Sequence, residues 1–328
     1  NYHNTYSGTP QGSIISPILA NIYMNELDSY MAEYAEKYNC GNRRKINPAF
    51  KKKLDVCRGK EERLKRNFAK MSEEEKEGLS AEIRELRRSL KSMPYSDPMD
   101  DNYKRICYVR YADDFLIGVI GSKEDAEQVK QDVGSFIREK LHLEMSEEKT
   151  KVTHSSKPVR YLGYDFKVIH SKNMKRCKNG DMKRVWYGKV FLYMPKEKWI
   201  KKAMERGAIQ VKRNNDTGKE MWRPMPRKDL MNRSDAEIVS TFNSEIRGLY
   251  NFYRIAENVG ALHKYYYMVR YSMLKTLAGK HRTNVSVIKK RHMVNGVLRI
   301  PYDTTKGRKY CEFYHDGFRK HSDGYDNV

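Results

Sequence analysis

The sequence predicts an α+β fold: antiparallel β-hairpins layered with helices in the first half, then an α-helical bundle from residue 233. Three observations predict it. Two β-rich runs, 106–111 and 115–119, flank a tight acidic turn and read as a hairpin. Apolar residues recur at helical spacing both before and after that hairpin. Ser234-Asp235-Ala236-Glu237 then opens a long periodic segment as a capping box. The order helix, hairpin, helix, hairpin builds an antiparallel sheet with helices on one face.

Residues 5–15 are loop-like, with Thr9-Pro10-Gln11-Gly12-Ser13-Ile14-Ile15 at their centre. Ser16 reads as an N-cap with Pro17 at the first helical position. Ile18, Leu19, Ile22, Tyr23, Leu27, Tyr30, Met31 and Tyr34 follow at helical spacing, predicting a buried helix. Residues 31–103 include a charged insertion. It carries the basic clusters Arg43-Arg44-Lys45 and Lys51-Lys52-Lys53, with Leu79, Ile83, Leu86 and Leu90 at helical spacing. One or two exposed helices are expected there, as a short antiparallel hairpin. Pro94, Asp97, Pro98 and Asp100-Asp101 end the insertion as a loop.

After the acidic hairpin, Ser122-Lys123-Glu124-Asp125 begins a helix with Ala126, Val129, Val133, Phe136, Ile137 and Leu141 on one face. Residues 150–153 and 160–166 read as strands. Residues 166–232 form a connector, with a strand over 185–193, a basic helix from Lys196 to Arg206 and a Gly/Asn/Pro-rich stretch. Residues 233–300 are helical. Ile238, Phe242, Ile246, Leu249, Tyr250 and Tyr253 line one helix. Leu262, Tyr266, Val269, Met273 and Leu277 line a second, closed by Gly279. A third runs near Asn284 to Met293. Residues 301–328 read as a polar tail.

The 328 residues are enough for two or three domains. Mean hydropathy is −0.87, and no apolar run approaches the roughly 20 residues of a membrane span. The polar N-terminus does not read as a signal peptide. It lacks an initiator Met, so a piece of a longer protein is expected. Five scattered cysteines suit a reducing compartment. The net charge of +23 is uneven: residues 1–164 hold 29 basic and 26 acidic side chains, and residues 165–328 hold 36 and 16. That excess in the second half suits a polyanion, most simply nucleic acid.

Chemistry centres on Tyr111-Ala112-Asp113-Asp114. Two adjacent carboxylates at a hairpin tip repel each other, and a divalent cation relieves the repulsion. Mg²⁺ takes oxygen ligands and is often held by one or two carboxylates plus substrate phosphates. Paired metal ions about 4 Å apart serve polymerase phosphoryl transfer. By itself an Asp-Asp turn is more often a solvated turn.

Four segments together shift that balance: the Pro10-Gln11-Gly12 loop, the Tyr111-Ala112-Asp113-Asp114 turn, Leu143-Glu144-Met145-Ser146-Glu147-Glu148-Lys149-Thr150, and Tyr161-Leu162-Gly163-Tyr164. Their order resembles the palm of a reverse transcriptase. With the insertion and the helical module, the chain resembles the group II intron-encoded reverse transcriptase/maturase family. The resemblance implies a partial palm over 1–165 and a thumb, or maturase domain X, over 233–300. It makes 301–328 the start of a DNA-binding region.

It further implies that Asp113 and Asp114 are catalytic metal ligands for two Mg²⁺ ions. Lys149 would lie near the triphosphate. Gln11, Gly12, Tyr111 and Ala112 would line the template–primer end, with Leu162 and Gly163 as the primer grip. Arg247, Arg254, Lys264, Arg270 and Lys275 are candidate RNA contacts. Tyr250, Tyr253, Tyr265, Tyr266 and Tyr267 could stack on bases, although packing is the commoner use of each. The implied partners are group II intron RNA, an RNA template with DNA primer, deoxynucleoside triphosphates and target DNA, in a bacterial cytoplasm without membrane association. The implied activities are RNA-directed DNA synthesis and intron splicing. In such palms a third carboxylate comes from upstream of the Pro-Gln-Gly loop. Ten residues precede Gln11 here and none is acidic, while Glu26 and Asp28 lie on the following helix. A chain lacking fingers and that aspartate is expected to be inactive alone. Two readings remain open beside this one: an RNA-binding splicing factor without polymerase activity, and a retron or diversity-generating reverse transcriptase.

Overall fold

The computed structural model describes residues 14–171, 173–177, 182–184 (backbone only), 188–214, 218 and 220–322. In chain order its main elements are helices α1 (Ser16–Tyr38), α2 (Pro48–Asn67) and α3 (Glu73–Ser92), strands β1 (Arg105–Tyr111) and β2 (Asp114–Ile120), and α4 (Lys123–Glu139). Strands β3 (Val159–Tyr161), β4 (Tyr164–Val168), β5 (Met174–Arg176), β6 (Met182–Arg184) and β7 (Val190–Tyr193) follow, then α5 (Lys196–Glu205), β8 (Ile209–Arg213) and β9 (Glu220–Pro224). The remainder is α6 (Asp235–Tyr253), α7 (Leu262–Lys280), α8 (Val285–His292), β10 (Met293–Val294), β11 (Val297–Thr304) and β12 (Gly307–Glu312). The chain divides into two units: Asn1–Lys157 with Ile169–Gly188, and Pro158–Val168 with Lys189–Val328.

The first unit packs the antiparallel β1–β2 hairpin against α1 and α4. Strand alternation explains the packing: Ile106, Tyr108 and Arg110 share the covered face of β1, while Cys107, Val109 and Tyr111 face outward. Leu27 and Met31 from α1 join Ile106, Val129, Val133, Ile137 and Leu141 in one core. The Tyr30 and Phe136 rings stack at 4.0 Å, and Tyr34 donates to Asp132 at 2.7 Å. Ser122 caps α4 through a reciprocal pair with Asp125, as the sequence predicts. The cap of α1 falls one residue earlier than predicted. The Ile15 carbonyl accepts from the Ile18 and Leu19 amides, which places Ser16 inside the helix. Only the second half of α1 is buried. Ile18 and Ile22 are 59% and 65% exposed, which corrects the expectation of a helix buried throughout.

The insertion is an antiparallel helical hairpin. Cys57 on α2 and Ile83 and Leu90 on α3 are buried between the helices, and Arg87 pairs with Glu61 at 2.9 Å. Its base is tied by the Cys40–Lys104 and Ile46–Ser96 bridges. The Asp100 carboxylate accepts the Lys45 amide at 2.7 Å and the Asn102 amide at 3.0 Å. Residues 150–153, expected as a strand, are irregular. The Thr150 amide instead turns back to the Ser146 carbonyl at 2.9 Å. β-Propensity without a pairing partner does not make a strand.

In the second unit the β3–β4 hairpin is extended by β7, making a three-stranded sheet separate from β1–β2. The predicted single sheet is thus several small ones. The strand expected over 185–193 is present from Val190; residues 185–187 lie outside the described residues. Helices α6 and α7 build the core with Ile238, Phe242, Ile246, Leu262, Met273 and Leu277, each fully buried. The Ser234–Glu237 capping box forms as predicted. The expected polar tail is largely structured. β11 and β12 pair in register from Arg299–Glu312 to Thr304–Gly307, and Phe313, Tyr314 and Phe318 are buried against the helices. Alternation along β11 buries Leu298 and Ile300, a short pattern hidden among charged residues.

Candidate active centre and nucleic-acid interface

The aspartate turn is closed by the Tyr111–Asp114 pair, with Ala112 and Asp113 as its two central residues. Such two-residue turns suit the right-handed twist of the strands only when the backbone reaches positive φ. Ala112 supplies it, at φ 55°. Alanine pays steric strain in that region, of order 1–3 kcal/mol. Tyr111, Ala112, Asp113 and Asp114 are all exposed. Among the described residues, neither aspartate carboxylate is engaged by a side-chain hydrogen bond or ion pair, so their oxygens stay open to solvent and ligands.

The turn is tied to α1 by a residue that pattern reading passed over. Arg110 donates from Nη1 to the Ala112 carbonyl at 2.7 Å and to Asn21 Oδ1 at 3.1 Å. Its Nε and Nη2 grip Asp28 at 2.9 and 2.6 Å, a two-pronged carboxylate contact. Tyr108 also donates to Asp28, at 2.9 Å. The Arg110 hydrogen bond is the main reason the Asp28 carboxyl sits below its usual range, burial opposing it. The reciprocal bond raises Arg110. Burial, then the bond to Asp28, pushes the Tyr108 phenol up. A signal for this network was present. Arg110 occupies the inward register of β1, where a charge requires a partner, and Asn21 and Asp28 lie two helical turns apart on one face of α1.

Lys149 lies in a turn, its amide on the Ser146 carbonyl at 3.2 Å and its side chain exposed. No ion pair links it to Asp113 or Asp114 among the described residues. Gln11 and Gly12 lie outside the described residues. No group of three or more His, Cys, Asp or Glu side chains that could hold a metal ion occurs among the described residues. The two aspartates are hard oxygen donors, and their unengaged oxygens fit Mg²⁺ with the remaining positions left to phosphates and water.

In the second unit, Leu162 and Gly163 are the central residues of the β3–β4 turn, with φ of 47° and 82°. Both values are positive, as a type I′ hairpin requires. Helix α6 presses on this turn. Tyr253 donates to the Gly163 carbonyl at 3.1 Å, and the Tyr164 hydroxyl donates to the Phe252 carbonyl. A Cβ on Gly163 would stand 3.2 Å from the Phe252 ring. The Tyr164 and Phe252 rings stack at 5.5 Å.

The predicted basic contacts divide by use. Arg247 and Lys264 are exposed, with the Lys264 ammonium 4.0 Å over the Trp222 ring. Lys275 donates to the Pro224 carbonyl at 2.8 Å, and Arg270 contacts Met293 Sδ at 3.8 Å. Arg254 caps α6, and its carbonyl accepts from the His321 amide. The tyrosines divide similarly. Tyr265 and Tyr253 are buried, which removes them as base-stacking surfaces. Tyr250 and Tyr266 donate to the Arg319 and Tyr314 carbonyls. Tyr267 is 54% exposed and lies 4.8 Å from the Tyr271 ring. The Lys289 ammonium sits 4.6 Å over Tyr271.

A hairpin presenting paired aspartates, followed by a basic helical module, is the α+β arrangement of a partial polymerase palm with a helical thumb. Residues 84–166 match the family described as reverse transcriptase (RNA-dependent DNA polymerase). Residues 187–315 match the type II intron maturase family. The chain is 39% identical over 310 residues to the group II intron-encoded protein LtrA of Lactococcus lactis subsp. cremoris, spanning 94% of this chain and 50% of that protein. It is 33% identical to the putative COX1/OXI3 intron 1 protein of Saccharomyces cerevisiae, over 93% of this chain and 36% of the relative. It is 23% identical to the mitochondrial nuclear intron maturase 2 of Arabidopsis thaliana, over 71% of this chain and 31% of the relative. The chain belongs to the group II intron-encoded reverse transcriptase/maturase family. It spans half or less of the length of these relatives.

Proposed function

We propose that the protein copies RNA into DNA and assists the splicing of a group II intron RNA. The observation that carries the polymerase reading is the pair of exposed carboxylates, Asp113 and Asp114, without a side-chain hydrogen bond or ion pair among the described residues, on a hairpin turn fixed to α1. These two residues would hold Mg²⁺, which, when bound, neutralises charge on the transferring phosphoryl group. Tyr111 and Ala112 shape the surface beside the primer end. Lys149 is suited to hold a departing pyrophosphate by charge or to give it a proton. The Leu162–Gly163 turn, braced by Tyr253, presents a rigid backbone edge to a primer strand. Deoxynucleoside triphosphates, a primed RNA template and the intron RNA are the proposed partners. Target DNA is a further one, with Gln11 and Gly12 proposed along the templating pair.

The second half of the chain supports RNA binding independently of catalysis, because residues 165–328 carry most of the +23 charge and phosphate contacts dominate such affinity. A purely RNA-binding splicing factor is the competing reading. No helix among the described residues is long and apolar enough to cross a membrane. By likeness to the bacterial relative, a bacterial cytoplasm is the proposed setting.

Asp113→Ala in the full-length polypeptide tests the reading. RNA-templated primer extension is expected to fall to background while RNA-dependent splicing persists. Primer extension that survives Asp113→Ala removes the polymerase assignment, and loss of both activities with an intact fold removes the separation of roles.

A further inference from the structure

We propose that Arg110 is a positioning residue for the aspartate turn, fixed in its role by Asp28 and Asn21 on α1. The proposal rests on the polymerase reading of Asp113 and Asp114 and names what holds them in place.

The turn has a conformational problem. Ala112 occupies positive φ, which its Cβ disfavours, so the surroundings must hold it there. Among the described residues, one side chain reaches that residue's own carbonyl: Arg110 Nη1, at 2.7 Å. Four of the five guanidinium N–H donors are accounted for by Ala112, Asn21 and the two Asp28 oxygens. The Arg110 side chain is only 10% exposed, and its bonds to Asp28 are part-buried while those to Ala112 and Asn21 lie at the surface edge.

The arrangement also solves an electrostatic problem. A guanidinium three residues from Asp113 is a natural partner for that carboxylate, and such a pair would compete with any cation. Asp28 takes that charge instead. Arg110 therefore binds the turn through a backbone carbonyl and does not take the aspartate oxygens. Tyr108 supplies a further bond to Asp28 and keeps it facing Arg110. Lysine cannot replace this device, because its ammonium lacks the planar fork that grips a carboxylate and a carbonyl together.

The test uses Arg110→Lys and Asp28→Asn in the full-length polypeptide, with Asp113→Ala as reference. Primer extension gives kcat and the KM for primed template, and hydrogen exchange of the 108–116 segment gives the order of the turn. Expected for Arg110→Lys is a kcat about ten- to a hundredfold lower, the scale of a small misplacement of reacting groups. The KM should stay within twofold, and turn exchange should rise about tenfold or more while the melting temperature holds. Asp28→Asn should move the same readouts in the same direction. Wild-type kcat and exchange in Arg110→Lys, beside an inactive Asp113→Ala, overturn the positioning role and leave the polymerase reading standing. An active Asp113→Ala overturns the polymerase reading itself. Global unfolding of both Arg110→Lys and Asp28→Asn also overturns the proposal, since the pair then serves the fold alone.

Discussion

The Tyr253 hydroxyl, at the end of α6, donates to the carbonyl of Gly163 at 3.1 Å. A residue of the helical module thereby fixes a hairpin turn 90 positions earlier in the chain. Gly163 is at φ 82°, and its bare Cα faces the Phe252 ring. Gly163→Ala is expected to cost about 1–3 kcal/mol, mainly from the disfavoured backbone conformation. The ring, half exposed, can yield a few tenths of an ångström. Tyr253→Phe is expected to cost about 1 kcal/mol for the lost hydrogen bond. Urea unfolding midpoints check both, and equal midpoints for Gly163→Ala and the parent contradict the turn assignment.

Asn243, buried in α6, receives the Tyr314 amide at 2.8 Å and donates to the Glu312 carbonyl at 2.7 Å. It is the polar clasp between the helical core and the end of β12. Asn243→Ala leaves both backbone groups buried and unpaired, at a cost of about 2–4 kcal/mol. Amide exchange at Tyr314 should rise more than exchange in the middle of α7. Uniform exchange across the second unit would show that the hairpin does not depend on this side chain.

Asp235 opens α6 and accepts from Lys280 and His281, both at 2.7 Å, at the end of α7. Burial raises its carboxyl, and the Lys280 and His281 bonds more than offset this, so it lies below its ordinary value of 3.8. A depressed carboxyl contributes stability that is complete above the unfolded value and is lost as pH falls through the folded one. The contribution is therefore present above about pH 4 and fades as the solution is acidified below that. Asp235→Asn should be less stable at neutral pH and show a shallower acid loss. Parallel stability–pH curves for the two proteins would rule the linkage out.

RNA affinity should fall steeply with salt, as expected when phosphate contacts release counterions. Arg247→Ala and Lys264→Ala should each reduce the log–log salt slope by about 0.7–0.9 if each neutralises one phosphate. Lys275→Ala should lower thermal stability, because its ammonium holds the Pro224 carbonyl. Filter binding across a salt series, beside thermal melts, separates the two behaviours. An unchanged slope in the Arg247 and Lys264 variants would move the interface elsewhere on the module.

Legibility followed the range of the physics. The α4 and α6 starts were readable because a capping box is complete within four residues: Ser122 with Asp125, and Ser234 with Glu237. The β1–β2 hairpin was readable because its turn and flanking strands are contiguous. The 150–153 run was misread as a strand because strand formation needs a partner that local propensity cannot supply. Residues 301–322 read as a tail in sequence because their apolar residues are sparse, yet they pair and pack. They gain their burial from α6 and α7, far away in sequence.

By itself the sequence determined the chemistry available to this protein: adjacent aspartates on a hairpin and a basic second half. Such features are encoded by neighbouring residues and by composition. Only the tertiary structure decided which charges are committed and which are open. Arg110 could have neutralised Asp113 or Asp114 on sequence grounds, yet Asp28, 82 residues earlier, takes it. Tyr265 could have stacked on a base, yet it is buried in the core. Pairing and burial arise between segments that meet only after folding, and they decide which side chains remain free to act.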